Sequence, residues 1–204
     1  MIKRIGLFLL LVTVAASADG EDGGNAPALK QNTTLPPMIM EKYDYYEVCG
    51  CCEKDLDREL KQKCIIWNDG KKYDSVTNWK LKWDYGRIPA PGFCTAGSFT
   101  VKVDITYQLP KWARTADVPK QLVAKWEAYQ KNLLVHEQGH RDIAVTAAKG
   151  LTQAVAELAP ASSCAELDNN VRTLADRMSK KLMEDENQYD VATNHGKTKG
   201  AIFP

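Results

Sequence analysis

Alternation of apolar and polar residues dominates the first half of the chain. Between residues 99 and 109 every second residue is apolar, and residues 78–85 alternate aromatic or aliphatic side chains with charged or amide ones. Residues 43–48 are rich in tyrosine and suit a first strand. This period of two predicts antiparallel strands with one buried and one solvated face. Residues 53–63 suit a short charged helix, and residues 87–97 are expected to form the loop between the later strands.

The hydrophobic period lengthens to three and four residues in the second half of the chain. Residues 122–158 follow this spacing and predict one long amphipathic helix, with Asp117 as its N-cap and Pro119 in its first turn. Residues 167–188 repeat the pattern and predict a second helix. The tail from residue 189 is expected to be irregular.

Strands followed by helices predict an α+β fold. The chain has 204 residues, enough for one ordinary domain. We place that domain at residues 40–204. Residues 19–39 contain no aromatic side chain and are rich in glycine, proline, asparagine and aspartate, which is typical of a flexible leader.

The first 18 residues have the pattern of a secretory signal peptide. Lys3 and Arg4 precede an apolar run, and Ala16-Ser17-Ala18 offers a cleavage site. A membrane anchor is the alternative, but the run is shorter than the roughly 20 residues that span a bilayer. We therefore expect export, without stable membrane insertion after cleavage.

The charge balance narrows the classes of partner. Lys and Arg total 27 against 26 for Asp and Glu, so the chain lacks the basic excess with which proteins bind nucleic acid. A charged fraction of 26% beside 44% hydrophobic residues excludes a disordered chain. The expected partner is a peptide or protein substrate, and the oligomeric state is open.

The long predicted helix carries an H-E-x-x-H motif from His136 to His140. Because an α-helix turns once in about 3.6 residues, the two imidazoles lie on one face and can bind one Zn²⁺. Glu137 lies beside the first ligand and is placed to act as the general base toward a metal-activated water. The alternative is a pair of core histidines satisfied by a buried carboxylate.

A zinc site of this type needs a third protein ligand. His195 is the remaining histidine of the chain and follows the second predicted helix, which would return the tail to the motif. Asp190 is the alternative ligand, or else it orients His195 through the other ring nitrogen. Tyr189 is a packing residue or a donor to the oxyanion of the reaction.

Six cysteines in an exported chain predict disulfide bonds. The spacing does not select a pairing. The CGCC cluster at residues 49–52 could instead hold a structural zinc together with Cys64. The full set is Cys49, Cys51, Cys52, Cys64, Cys94 and Cys164.

Several sequence stretches resemble an uncharacterised family of secreted bacterial zinc-dependent proteases of the zincin type, the domain of unknown function 922. The resemblance covers about residues 43–204, and the terminal YDxxTxHG pattern is its most discriminating part. The shared stretches read YYEV, TNWKLKWDY, QLPKW, WEAY, LLVHEQGH, YDVATNHG and GAIFP.

The resemblance implies a zincin-like fold, bacterial export to the periplasm or the medium, and metallopeptidase activity. It also favours a disulfide between Cys94 and Cys164. The CGCC cluster departs from the family pattern, and we expect Cys64 to pair with one of its members, for which Cys52 is the candidate.

Three functions are weighed on these observations. The first is a zinc metallopeptidase that binds an extended peptide by strand addition along residues 99–109. The second is a non-catalytic envelope protein that keeps a zincin fold for binding. The third is a disulfide-rich binding module. Glu137 favours the first, since a structural zinc site has no use for a carboxylate beside its ligand.

Overall fold

The computed structural model describes residues 35–67, 70–115 and 117–203; the predicted signal peptide and most of the predicted leader lie outside these ranges. Within them the fold is α+β, as the sequence predicts. The elements are β1 (Met38–Val48), α1 (Glu53–Lys63), β2 (Ile65–Ile66), β3 (Lys72–Tyr73), β4 (Val76–Ala90), β5 (Phe93–Trp112), α2 (Lys120–Ala156), α3 (Cys164–Ala192) and a single 3-10 turn (Lys197–Lys199).

The main sheet is mixed rather than purely antiparallel. Its strand order is β1-β5-β4; β4 and β5 form an antiparallel pair, whereas β1 runs parallel to β5 with Tyr43 opposite Tyr107. The prediction was wrong for β1 because alternation reports which face is buried and carries no information about strand direction. The strand also begins at Met38, inside the predicted leader.

The predicted loop at residues 87–97 is largely strand. β4 continues to Ala90 and β5 starts at Phe93, and the turn between them contains Gly92 with a φ of 79°. Proline and glycine suggested a loop, but Pro89 lies on an edge strand, where a missing N–H is tolerated. The two long strands therefore form one extended hairpin.

Both predicted helices are present with shifted ends. α2 has Pro119, not Asp117, at its N-cap position, and α3 extends to Ala192, so that Tyr189 and Asp190 are helical rather than part of an irregular tail. The short charged helix is confirmed as α1. Among the described residues, no helix combines the length and apolarity needed to cross a membrane.

The core lies between the sheet and the two long helices. α2 packs on β5 and β4, and α3 packs along α2. The tail returns to this core, where the ring of Phe203 meets Trp126 and Tyr129 edge-on. The alternate residues of β5 that build the buried layer are Phe99, Val101, Val103, Ile105, Tyr107 and Leu109.

The disulfide between Cys94 and Cys164 is present and ties the beginning of β5 to the first residue of α3. Backbone hydrogen bonds between Cys94 and Ala161 run beside it. The predicted partner of Cys64 was wrong. Cys49, Cys51, Cys52 and Cys64 are free.

Helix α1 explains why the second pair does not form. Cys52 and Cys64 occupy its two cap positions, about 18 Å apart at roughly 1.5 Å of rise per residue. A disulfide requires Cα atoms about 4.4–6.8 Å apart. The same separation excludes a structural zinc bound by both residues.

Candidate metal centre

The H-E-x-x-H motif lies in the middle of α2, where the helix is covered by α3. His136 and His140 are fully buried. Asp190 enters from α3, and its Oδ1 lies 3.0 Å from Nε2 of His140 and 3.5 Å from Nε2 of His136. These three residues form a group whose candidate ligand atoms all lie within 4.8 Å of one another.

The chemistry of this group fits a divalent cation. Nε2 of His136, Nε2 of His140 and Oδ1 of Asp190 are buried and make no hydrogen bond to any residue that the structure describes. Burying such atoms unpaired is costly. Ligands of a tetrahedral zinc with bonds of about 2.0–2.2 Å are roughly 3.4 Å apart, close to the separations found here. Two imidazoles and a carboxylate are a donor set that zinc accepts in proteins.

His195 does not join this group, although it was predicted as the third ligand. Its Nδ1 faces the other carboxylate oxygen of Asp190 at 3.8 Å. The backbone brings it there through a left-handed turn, with φ of 48° at Asn194 and 53° at His195. Asp190, the alternative candidate, therefore lies in the ligand group with the two histidines. His195 lies next to Asp190, outside the group.

Glu137 points from α2 toward the sheet and is fully buried. The hydroxyl of Ser75 donates to its Oε1 at 2.6 Å, and the hydroxyl of Thr77 donates to its Oε2 at 2.5 Å. Ser75 precedes β4 and Thr77 is its second residue. Sequence reasoning missed both hydroxyls, because serine and threonine at the start of a strand are common and their burial is visible only in the fold.

Two tyrosines fix the segment that carries these hydroxyls. Tyr46 donates to the backbone carbonyl of Asp74 at 2.8 Å, and Tyr129 donates to its carboxylate at 3.0 Å. Burial, reinforced by the charge of Asp74, raises the pKa of both phenols well above the usual value of 10. Both therefore stay protonated and remain donors over the whole physiological range.

Tyr189 packs against both histidines. Its ring is stacked on that of His136 with an interplanar angle of 10°, and it meets the ring of His140 nearly at right angles. Its hydroxyl donates to the backbone carbonyl of His136 at 3.1 Å rather than into the site. The ring crosses α2 at Gly139, where an added Cβ would lie 2.1 Å from the tyrosine oxygen.

A third buried carboxylate, Glu186, lies beside His140 and was not predicted. Its Oε2 lies 2.5 Å from Nδ1 of His140. The sequence contained a signal for it: the buried stripe of α3 continues from Leu182 to Glu186 and Asp190 at four-residue steps. Carboxylates that replace apolar residues in a buried stripe mark a polar site.

Fold and site together define an α+β protein in which two histidines and one carboxylate, held between two long helices, form a candidate metal site. Residues 43–196 match the family described as "Bacterial protein of unknown function (DUF922)". The match covers most of the chain, and the protein belongs to this family. No curated protein and no solved structure shows a significant similarity to it.

Proposed function

We propose that this protein is a zinc-dependent peptidase of the zincin type that acts outside the cytoplasm. The observation that carries the proposal is the convergence of three buried ligand atoms, from His136, His140 and Asp190, on the helical turn that also carries Glu137. The predicted signal peptide supports export.

Each residue of the site has a role in this proposal. A zinc ion held by the three ligands would supply a water of lowered pKa and would polarise the scissile carbonyl. Glu137 accepts the proton of the attacking water and delivers it to the leaving amine. An ionised carboxylate offers about four acceptor positions, so the hydroxyl bonds from Ser75 and Thr77 are compatible with this role.

The substrate strand predicted earlier has to be reassigned. β5, which contains residues 99–109, is the central strand and pairs on both sides. Strand addition needs a free edge. In the described part of the sheet β4 is an edge strand, and its second residue, Thr77, contacts Glu137. We therefore propose the edge of β4 as the place where an extended peptide binds.

A non-catalytic metal-binding envelope protein is the second candidate. The observation that favours it is burial: His136, Glu137 and His140 are all inaccessible to solvent in this structure. A site of this kind stabilises the fold through its metal without admitting a substrate. The role of Glu137 distinguishes the two functions, because a peptidase requires a base that accepts a proton from water and a structural metal site does not.

The proposal is tested by assaying the mature chain, with zinc, on casein and on a library of internally quenched peptides. The Glu137→Gln variant keeps the size of the side chain but does not accept a proton. We expect it to retain zinc and to lose hydrolysis by about 10²–10⁴-fold, the usual contribution of a general base.

Glu127→Gln, an exposed position on the same helix, is the matched control and should cleave as the wild type does. Equal turnover by Glu137→Gln and wild type would contradict the role of Glu137. Zinc binding without any cleavage by the wild type would favour the non-catalytic alternative.

A further inference from the structure

Glu186 has no role in the chemistry described so far, yet it is one of the most unusual residues of α3. It is almost completely buried and lies one helical turn before Asp190, so that both carboxylates face α2. A buried carboxylate is costly unless it is paired and hydrogen-bonded. The structure supplies the partner, which is His140.

The contact bears on which ring nitrogen of His140 carries the proton. Oε2 of Glu186 lies 2.5 Å from Nδ1, and an ionised carboxylate is only an acceptor. The contact therefore favours the neutral tautomer with the proton on Nδ1, in which Nε2 keeps its lone pair. Nε2 is the atom that lies 3.0 Å from Oδ1 of Asp190.

The two histidines are held by different means. Nδ1 of His136 has only a long contact, 3.5 Å, with the hydroxyl of Thr193. Its ring is confined by packing, between the stacked ring of Tyr189 and Gly196, where an added Cβ would lie 3.0 Å from its Cγ. Among the described residues, a carboxylate lies at hydrogen-bonding distance on the side away from the ligand group for His140 but not for His136.

We propose that Glu186 is the positioning residue of the metal centre: it binds no metal itself and fixes His140 in the tautomer and orientation that present Nε2 as a ligand. The inference rests on the metal site of the proposed function and is independent of peptidase activity. A carboxylate in this position also makes the imidazole a stronger ligand.

The test is the affinity for zinc, measured by competition with a chromophoric chelator. Removing a partner of this kind usually weakens metal binding by about 10–100-fold, and we expect a loss in that range for Glu186→Gln. Glu184→Gln, at an exposed position on the same helix, should bind zinc as the wild type does.

A merely structural role of Glu186 would give a different result. Glu186→Gln would then lower the Tm of the zinc-free protein and leave the Kd for zinc unchanged. Glu186→Gln should instead lose part of the rise in Tm that zinc produces. A folded Glu186→Gln with the wild-type Kd overturns the inference, and so does an equal loss in Glu184→Gln.

A second measurement decides the matter if Glu186→Gln does not fold. Nitrogen-15 spectra of the imidazoles in the zinc-free wild type report the tautomer of His140. The Nδ1–H form supports the inference, and the Nε2–H form overturns it. If the wild type binds no zinc at all, the metal site of the proposed function fails, and this inference fails with it.

Discussion

At the scale of single residues, the site depends on hydroxyl and carboxylate partners that fix the groups of the H-E-x-x-H motif. The hydroxyls of Ser75 and Thr77 donate to Oε1 and Oε2 of Glu137, so that both carboxylate oxygens are bound at the beginning of β4. A carboxylate held at both oxygens has a defined orientation. The helix supplies the carboxylate, and the residues at the beginning of β4 fix its orientation.

Thr77→Val tests this arrangement through stability. Valine keeps the shape and the β propensity of threonine but leaves a buried carboxylate oxygen without its donor. We expect the free energy of unfolding to fall by about 1–3 kcal/mol in urea denaturation. Thr77→Ser restores the hydroxyl and should recover most of the loss.

Thr100→Val is the matched control for Thr77→Val, because Thr100 is an exposed threonine on the neighbouring strand β5. Its unfolding transition should coincide with that of the wild type. A Thr77→Val protein as stable as Thr100→Val would show that the hydroxyl of Thr77 does not hold Glu137.

Sequence reasoning reached part of this site. The pairing of the two histidines follows from helical spacing alone, because positions 136 and 140 share a face in any α-helix, and Glu137 follows from the H-E-x-x-H motif. The choice between Asp190 and His195 stayed open, because it depends on whether α3 ends before or after residue 190. Ser75, Thr77 and Glu186 become neighbours of the motif only through tertiary contacts.

At the scale of elements, the approach of α3 to α2 depends on a glycine within the motif. Tyr189 crosses α2 directly over Gly139, and a side chain there would overlap the tyrosine ring. The two helices can therefore bring Asp190 and Glu186 to the histidines only with glycine at this position.

Gly139→Ala should disturb this helix contact. The new Cβ would lie 2.1 Å from the oxygen of Tyr189, and overpacking of this kind usually costs about 1–3 kcal/mol. We expect a lower free energy of unfolding and weaker zinc binding in the same variant, measured by urea denaturation and chelator competition.

Gly150→Ala, in the same helix, is the control for Gly139→Ala. Its Cβ would meet only the flexible end of Met178, and alanine stabilises a helix interior by about 0.5–1 kcal/mol relative to glycine. This variant should be at least as stable as the wild type. Equal stability of the two variants would contradict a close approach at Gly139.

The elements themselves were more predictable than their connections. The alternation in β4 and β5 and the long period of α2 come from burial of one face, which acts locally and leaves a pattern in the sequence. The parallel pairing of β1 depends on where the chain returns after α1, which no local pattern records. The hairpin at Gly92 was not predicted, because Pro89 is typical of a loop. Pro89 is tolerated in β4 because β4 is an edge strand, and the sequence does not show which strand lies at the edge.

At the scale of the whole molecule, the disulfide between Cys94 and Cys164 closes a loop of 70 residues between the sheet and α3. In the chain-entropy model a loop of this length stabilises the fold by about 4 kcal/mol. The bond anchors the end of α3 opposite to the one that carries Asp190.

Replacing both Cys94 and Cys164 by alanine should lower the free energy of unfolding by several kcal/mol, at most about 4 in this model. Urea denaturation under non-reducing conditions measures the effect. Cys64→Ser removes a cysteine that is free in the structure and should leave the transition unchanged. A large loss in Cys64→Ser would indicate that this thiol is bonded after all.

The metal content of the purified mature chain tests the central claim most directly. Elemental analysis of the wild type, Asp190→Asn and His195→Ala should find one zinc per chain in the wild type and in His195→Ala, and a strong loss in Asp190→Asn. This result follows if His136, His140 and Asp190 are the ligands. Absence of zinc from the wild type, or its loss from His195→Ala with retention in Asp190→Asn, would contradict the claim.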